Sequence, residues 1–385
     1  MIIASVAAGL WSGLFLMAFY YGTSEQRVNT AISREISHLQ IHNPEFKKDY
    51  EVRYVIPGAQ GIVEDIARMP EAKSVTGRTV SRAMASTAGG SSGIMLNGID
   101  PVTEDSVTQL RSKIIEGDYL DSGKRNRMLV GQKLADKLKL KLGSKAIFTF
   151  LDKDLSIISA AFRVEGIYKT QNTPYDETNV FVRKEELNAL IGLPGSTNEI
   201  AILLESNKVI QPVDDRLKSK HKDLLVETWR EISPEMDLIV SVTDQSMYIF
   251  MAIILLALAF GIVNTMLMAV LERTRELGML MALGMRKSGI FFMILWETIF
   301  LVMAGCPFGV LFSIVTVYYT GKYGLDLSVF QDSLASFGYA AIIYPKLETY
   351  HYVVMLVMVA ATAILSSIFP ARKALKLEPA DAIRK

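Results

Sequence analysis

The chain has 385 residues, half of them hydrophobic, and a formal net charge of +1. That apolar fraction excludes an ordinary soluble protein of this size and points to a membrane protein with a polar part. The near-zero charge excludes any global signal for nucleic acid or an anionic substrate, and the single cysteine, Cys306, has no intrachain partner with which to form a disulfide.

A hydrocarbon core about 30 Å thick needs roughly 20 residues of helix, and four stretches suffice: 2–22, 247–271, 290–319 and 352–370. The first begins at Met1–Ile2 with no basic residues ahead of it and no small-x-small cleavage pattern before Thr23, so a retained transmembrane helix (1–22) is expected. Within it, Gly9 and Gly13 have the spacing that lets helices approach closely. Residues 23–40 place Val28, Ile32 and Ile36 on one face, which predicts an amphipathic helix continuing out of the membrane. A strand near 38–42 follows, then a loop with Pro44 and Pro57. A short helix over 61–69 is stopped by Pro70, and a strand spans 74–82.

The middle section, 90–190, reads as short strands at 93–99, 126–131, 145–150, 162–168 and 178–183, with a helix over 133–140 ending at Gly143. Farther on, a strand at 200–204, a helix at 209–220 and a strand at 224–229 repeat the strand–helix–strand organisation of the first flank. The expected fold class is therefore membrane α-helical, with four transmembrane helices and a large α+β domain over 23–246 between the first and second. That domain should have two lobes, the middle one inserted into the other, and residues 230–246 lead back to the membrane.

Lysine and arginine in the short loops set the orientation. The 272–288 loop carries Arg273, Arg275, Arg286 and Lys287, and the 371–385 tail carries Arg372, Lys373, Lys376, Arg384 and Lys385, whereas the 320–351 loop has only Lys322 and Lys346. Both basic segments and both termini are expected in the cytoplasm, with 23–246 and 320–351 outside it. In the third span, Glu297 is the only ionisable residue of any span. A charge at mid-membrane costs about 2.5–3.5 kcal/mol, but Glu297 sits near the start of its span, where a polar packing contact is favoured over a proton site. Gly305 and Gly309 repeat the close-approach spacing, intramolecular packing being the favoured use, and Pro307 between them is expected to kink the helix.

No catalytic residue, cofactor or metal site is signalled. The nearest approach to a phosphate-binding loop, Gly117 to Arg125, has five residues between its glycines and Arg125 where a hydroxyl should bind magnesium. His38 and His42 share a face without a third ligand nearby and read as surface histidines close to the membrane. The most informative segment is Glu272 to Ser288. Charged residues come first, then Leu277, Leu280 and Leu283 present a short apolar ridge, Gly284 is placed to end a helix, and Ser288 to cap the next. Such a helix either lies on the lipid surface or docks in a groove on a cytoplasmic partner.

The run ERTRELGMLMALGMRKSGI and the ending Pro370-Ala-Arg-Lys-Ala-Leu-Lys-Leu-Glu-Pro379-Ala-Asp-Ala-Ile-Arg384 closely resemble the signatures of FtsX/MacB-type ABC transporter permeases. Gly98-Ile-Asp-Pro101, Glu116-Gly117-Asp-Tyr-Leu120, Leu129-Val-Gly-Gln-Lys-Leu-Ala-Asp-Lys-Leu138, Gly143, Val164-Glu-Gly-Ile167 and Tyr175-Asp176 resemble the family's extracytoplasmic domain. The resemblance implies an inner-membrane permease that hydrolyses no ATP itself, paired with a second permease subunit, identical or different, on cytoplasmic ATPase subunits. It also implies that Glu272, Arg273, Arg275, Glu276, Leu277, Leu280, Leu283 and Gly284 form a coupling helix, and that ATP-driven movement passes through a stalk by mechanotransmission. His38 to Pro44 looks more like the lipoprotein-releasing branch than the efflux branch. The alternatives are macrolide or peptide efflux with a periplasmic adaptor, and regulation of a cell-wall hydrolase without transport. One departure from the family is the lack of a short amphipathic helix before the first span.

Overall fold

The computed structural model describes residues 2–121 and 123–375. Lys376, Arg384, Lys385 and the Pro379 end of the C-terminal motif lie outside the described residues. In chain order the helices and strands are α1 (Ile2–Ala31), β1 (Leu39–His42), α2 (Phe46–Asp49), α3 (Ala59–Ala67), β2 (Ala72–Thr87), β3 (Gly90–Ile99), α4 (Pro101–Thr108), β4 (Ile114–Gly117), β5 (Arg127–Gly131) and α5 (Gln132–Leu138). There follow β6 (Lys145–Leu151), β7 (Ile157–Tyr168), α6 (Thr173–Thr178), β8 (Asn179–Arg183), α7 (Lys184–Ile191), β9 (Glu199–Leu204), α8 (Ile210–Lys220), β10 (Leu225–Thr228) and α9 (Trp229–Ile232). The chain ends with α10 (Pro234–Glu272), α11 (Thr274–Ala282), α12 (Lys287–Tyr323), β11 (Leu325–Asp326), α13 (Gln331–Ser336), β12 (Ile342–Ile343) and α14 (Thr349–Ala374). Two compact units emerge.

The first unit gathers the chain up to Gln26, Ile239–Leu327 and the segment from Ile342 on. Among the described residues, α1, α10, α12 and α14 are long and apolar enough to cross a membrane. Each buries one stripe at helical spacing: Val6, Leu10, Leu14 and Met17 on α1, and Leu255, Leu258, Ile262 and Met266 on α10. In their most apolar windows only 28–33% of residues are buried, so most of the apolar surface faces outward, as suits helices solvated by lipid. Helix α10 runs on as one element of 39 residues, about 58 Å at 1.5 Å per residue. Helix α12 passes through Pro307 without a break in its helical run.

The second unit comprises Arg27–Leu238 and Ser328–Ala341. Its ten strands follow the order β10-β1-β9-β2-β3-β8-β5-β7-β4, with β6 pairing both β2 and β7. Strand β1 is antiparallel to β9 and β10, and β9 to β2, so β1-α3-β2 and β9-α8-β10 interleave as two split β-α-β units. Leu39, Ile41, Ile200 and Ile202 meet Ile62 and Ile66 of α3 and Val213 and Leu217 of α8 in one apolar core. Strand β2 is longer than the expected 74–82, because its first half pairs β9 and its second half pairs β3 and β6. Strands β2, β3, β8, β5, β7 and β6 thereby close on themselves, around a second core that includes Leu96, Val130, Phe148, Phe150, Phe162 and Val180.

Two expected elements end early. The helix leaving the first span stops at Ala31, passes through a π-helical turn at Ile32–Ile36, and turns at Ser37 with φ 67°. The helix expected over 133–140 stops at Leu138 because Lys139 takes a left-handed conformation, φ 54°, and Gly143 belongs to the next turn.

Candidate functional site

Helix α11 sits on a hinge of charge. Arg273, between α10 and α11, donates from Nε to Glu276 at 2.9 Å and from Nη1 to Glu297 Oε1 at 2.9 Å. Glu297 of α12 thus meets the residue that opens α11, through a pair that stays partly exposed. Gly284, with φ 95°, stops α11 in a backbone region that costs glycine little. The expected apolar ridge is not one surface. Steps of three residues on a helix of 3.6 per turn drift by about 60°, so Leu277 is buried, Leu280 is half-buried and Leu283 is 85% exposed. Leu277 and Met281 pack against the membrane core, while Glu272, Arg275, Glu276, Met279 and Leu283 form the outer side. Ser288 does not cap the next helix; α12 begins at Lys287, with Arg286 at the N-cap.

The glycine pairs are packed within the chain. A Cβ on Gly305 would stand 3.0 Å from the Ile3 carbonyl oxygen, and one on Gly309 2.9 Å from that of Ala7, so α12 meets the α1 backbone directly. Gly9 and Gly13 face elsewhere: a Cβ there would stand 3.2 Å from Leu258 Cδ1 of α10 and 2.6 Å from Met355 Cε of α14.

The α+β unit holds a buried chain of charges that the sequence did not announce. Arg78 on β2 binds Glu104 of α4 through Nε and Nη2, at 2.8 and 2.7 Å, and Glu199 of β9 through Nη1 at 2.8 Å. Glu199 also meets His42 Nε2 at 3.2 Å, and His42 Nδ1 lies 3.4 Å from Glu227 Oε2, which faces Lys47 at 3.3 Å. Burial alone would push the His42 imidazole down, but the Glu199 and Glu227 carboxylates more than offset it and hold its pKa above 6.5. Burial pushes Glu199 up, yet His42 and Arg78 together bring it down to about 2. His38 accepts from the Leu204 N–H at 3.0 Å, and burial lowers it to about 4. Both histidines are therefore buried, correcting the surface expectation: His42 ends β1, which β9 and β10 flank, and His38 just before that strand bonds through its backbone to Ile202 and Trp229.

The motifs of the α+β unit are brought together in space. Asp100 caps α4, accepting from the Val102 and Thr103 N–H groups at 2.9 Å, with Pro101 in the first turn. That cap aims Glu104 at Arg78. A side chain on Gly166 would strike the Asp118 carbonyl, and one on Gly131 the Asp176 backbone. Among the described residues, the element that follows Gly117 and Arg125 is strand β5, so no helix N-terminus stands there to receive a phosphate.

Four membrane-length helices and a large α+β domain between the first two define an integral membrane protein. The family model for the MacB-like periplasmic core domain matches residues 1–220, and that for the FtsX-like permease C-terminal region matches 248–379. The chain belongs to this FtsX/MacB-like family of ABC transporter permeases. It is similar to an uncharacterized ABC transporter permease of Methanocaldococcus jannaschii, 26% identical over 70% of this chain and 65% of the relative's length. It is also similar to the lipoprotein-releasing system transmembrane protein LolE of Haemophilus influenzae, 20% identical over 93% of this chain and 88% of the relative. Among solved structures, the periplasmic region of MacB from Actinobacillus actinomycetemcomitans aligns with 55% of this chain and 98% of its own, at 15% identity and a TM-score of 0.37.

Proposed function

We propose that this chain is the membrane-spanning subunit of an ABC complex that releases lipoproteins or extrudes a related hydrophobic cargo, with ATP hydrolysed on a separate cytoplasmic subunit. The observation that carries this is α11. It is a nine-residue helix between two membrane helices, pinned inward by Leu277 and Met281 and by the Arg273–Glu297 pair, with Met279 and Leu283 facing out. A helix packed on one side against the membrane core, with Met279 and Leu283 exposed among charged residues on the other, suits transmission of a push from a partner that grips Leu283. The basic residues of the 272–288 loop support a cytoplasmic α11, with both termini on that side and the α+β domain outside.

In this reading the α+β domain has two lobes, the section between β2 and β9 inserted into the other, and α1 and α10 act as the stalk that carries the chain between membrane and domain. Residues 320–351 form a second external loop. Two such subunits, identical or not, would share a pair of ATPases. The lipoprotein-releasing branch is supported by extent of match. The LolE relative matches 93% of this chain, whereas MacB of Campylobacter jejuni matches 32%.

The test is Leu283→Asp. Burying a leucine is worth about 1.5–3 kcal/mol, so its loss should weaken docking tenfold or more. The permease-dependent part of ATP hydrolysis should collapse while membrane insertion is kept. Full stimulation by the inserted variant would refute the docking role.

A further inference from the structure

Ser328–Ala341, between the third and fourth membrane helices, belongs to the same compact unit as the α+β domain. One side of this segment is fitted to that unit. Helix α13 packs on α6, and Gly338 is buried with φ 75°, where a Cβ would stand 2.6 Å from the Arg27 guanidinium. Arg27 meets Glu35 at 3.4 Å, and Glu35 accepts from Asn172 Nδ2 at 2.8 Å. The other side is bare and carries three large apolar side chains among small polar ones: Val329 is 92% exposed, Phe330 59% and Phe337 72%, with Gln331, Ser333 and Ser336 exposed beside them. Asp332 is the only formal charge in the segment.

Chain length bounds where this face can be. Val329 lies six residues beyond Tyr323, the end of α12, so the two are separated by at most about 20 Å. The end of α12 carries Tyr318, Tyr319 and Tyr323, 63%, 57% and 70% exposed, and α14 opens with Tyr350, also 70% exposed. Exposed tyrosines at the ends of membrane helices mark the headgroup level. A piece tethered there, nearly uncharged and exposing a valine and two phenylalanines among small polar residues, has the chemistry of an interfacial element.

We propose that Val329, Phe330 and Phe337 form a foot that inserts into the headgroup region of the bilayer leaflet on that side. Through α13 on α6 and Gly338 on Arg27, the α+β domain then holds the membrane surface by a contact separate from its two covalent helices. This inference needs the membrane helices but no particular cargo or ATPase, so it can fail without the proposed function failing.

The experiment uses the full chain in phosphatidylethanolamine–phosphatidylglycerol vesicles, with Cys306→Ser as background. A nitroxide is attached at Val329→Cys, at Phe337→Cys or, as a control of similar exposure on β7, at Ile157→Cys. Collisions with oxygen and with a water-soluble nickel chelate are then compared. The foot predicts an oxygen-to-nickel ratio several-fold higher at 329 and 337 than at 157. Equal ratios at all three positions would show a water-exposed loop, and protection from both reagents at 329 and 337 would show a covering protein; either overturns the proposal. If a cysteine disturbs the segment, quenching of Val329→Trp by brominated lipid decides in the same way, unquenched emission counting against it.

Discussion

At the residue scale, the charges with most at stake are the buried ones. Arg78 and Glu104 are 5% and 0% exposed, and breaking a buried pair by removing one partner costs about 3–5 kcal/mol. Glu104→Ala should therefore lower the unfolding temperature of the α+β domain markedly, and a shift indistinguishable from that of a surface substitution would count against this account. Surface-level effects are expected at Arg273–Glu297, where the side chains are 48% and 37% exposed. Pairs of that exposure contribute about 0.2–1 kcal/mol, so Glu297→Gln should cost little in stability and leave most activity. His42 gives a signed pH dependence. Its pKa is raised in the fold, so its stabilisation is complete below pH 6.5 and fades as pH climbs through the folded value. Glu199 works oppositely: its contribution is present above pH 4.5 and is lost as pH falls towards about 2. Thermal unfolding of the purified chain should show a loss of stability on the alkaline side that His42→Gln removes, and identical profiles for both proteins would dismiss the idea. None of these partners was legible in the sequence, because Arg78 and Glu199 are separated by 121 positions and meet only through strand register.

At the element scale, the close contact of α12 with α1 is the sharpest constraint. A valine at Gly309 would crowd the Ala7 carbonyl and Leu10 Cβ, both 2.9 Å from the added Cβ. Overpacking of this kind costs about 1–3 kcal/mol. Gly309→Val should lower thermal stability in detergent, and Gly309→Ala less so; no change with valine would mean that the two helices are not held together there. The membrane helices were legible because a long uninterrupted apolar run has few alternatives. Strand positions such as 145–150 and 178–183 were also legible, from β-branched and aromatic residues between turns. Helix ends were less so: Lys139 stops α5 in a conformation more typical of glycine. The ridge of Leu277, Leu280 and Leu283 splits because a three-residue spacing follows a helical face only over one turn. The burial of Leu277 and exposure of Leu283 separate the anchor of α11 from its contact.

At the scale of the whole molecule, sequence motifs far apart in the chain meet as backbone contacts, Gly166 with Asp118 and Gly131 with Asp176. The closure of β6 onto β2 could not be foreseen, since hydrophobic alternation identifies a strand but not its neighbour. The central proposal is that this chain transmits work done by a partnering ABC ATPase. The most direct measurement is purification of the chain from its native membrane in mild detergent, with mass spectrometry of its companions and assay of ATP hydrolysis. The account predicts an ABC ATPase in stoichiometric amount, together with a second permease copy or a related permease, and ATP hydrolysis that Leu283→Asp uncouples from the complex. A chain recovered without any ATPase, under conditions that keep known ABC complexes intact, would contradict it.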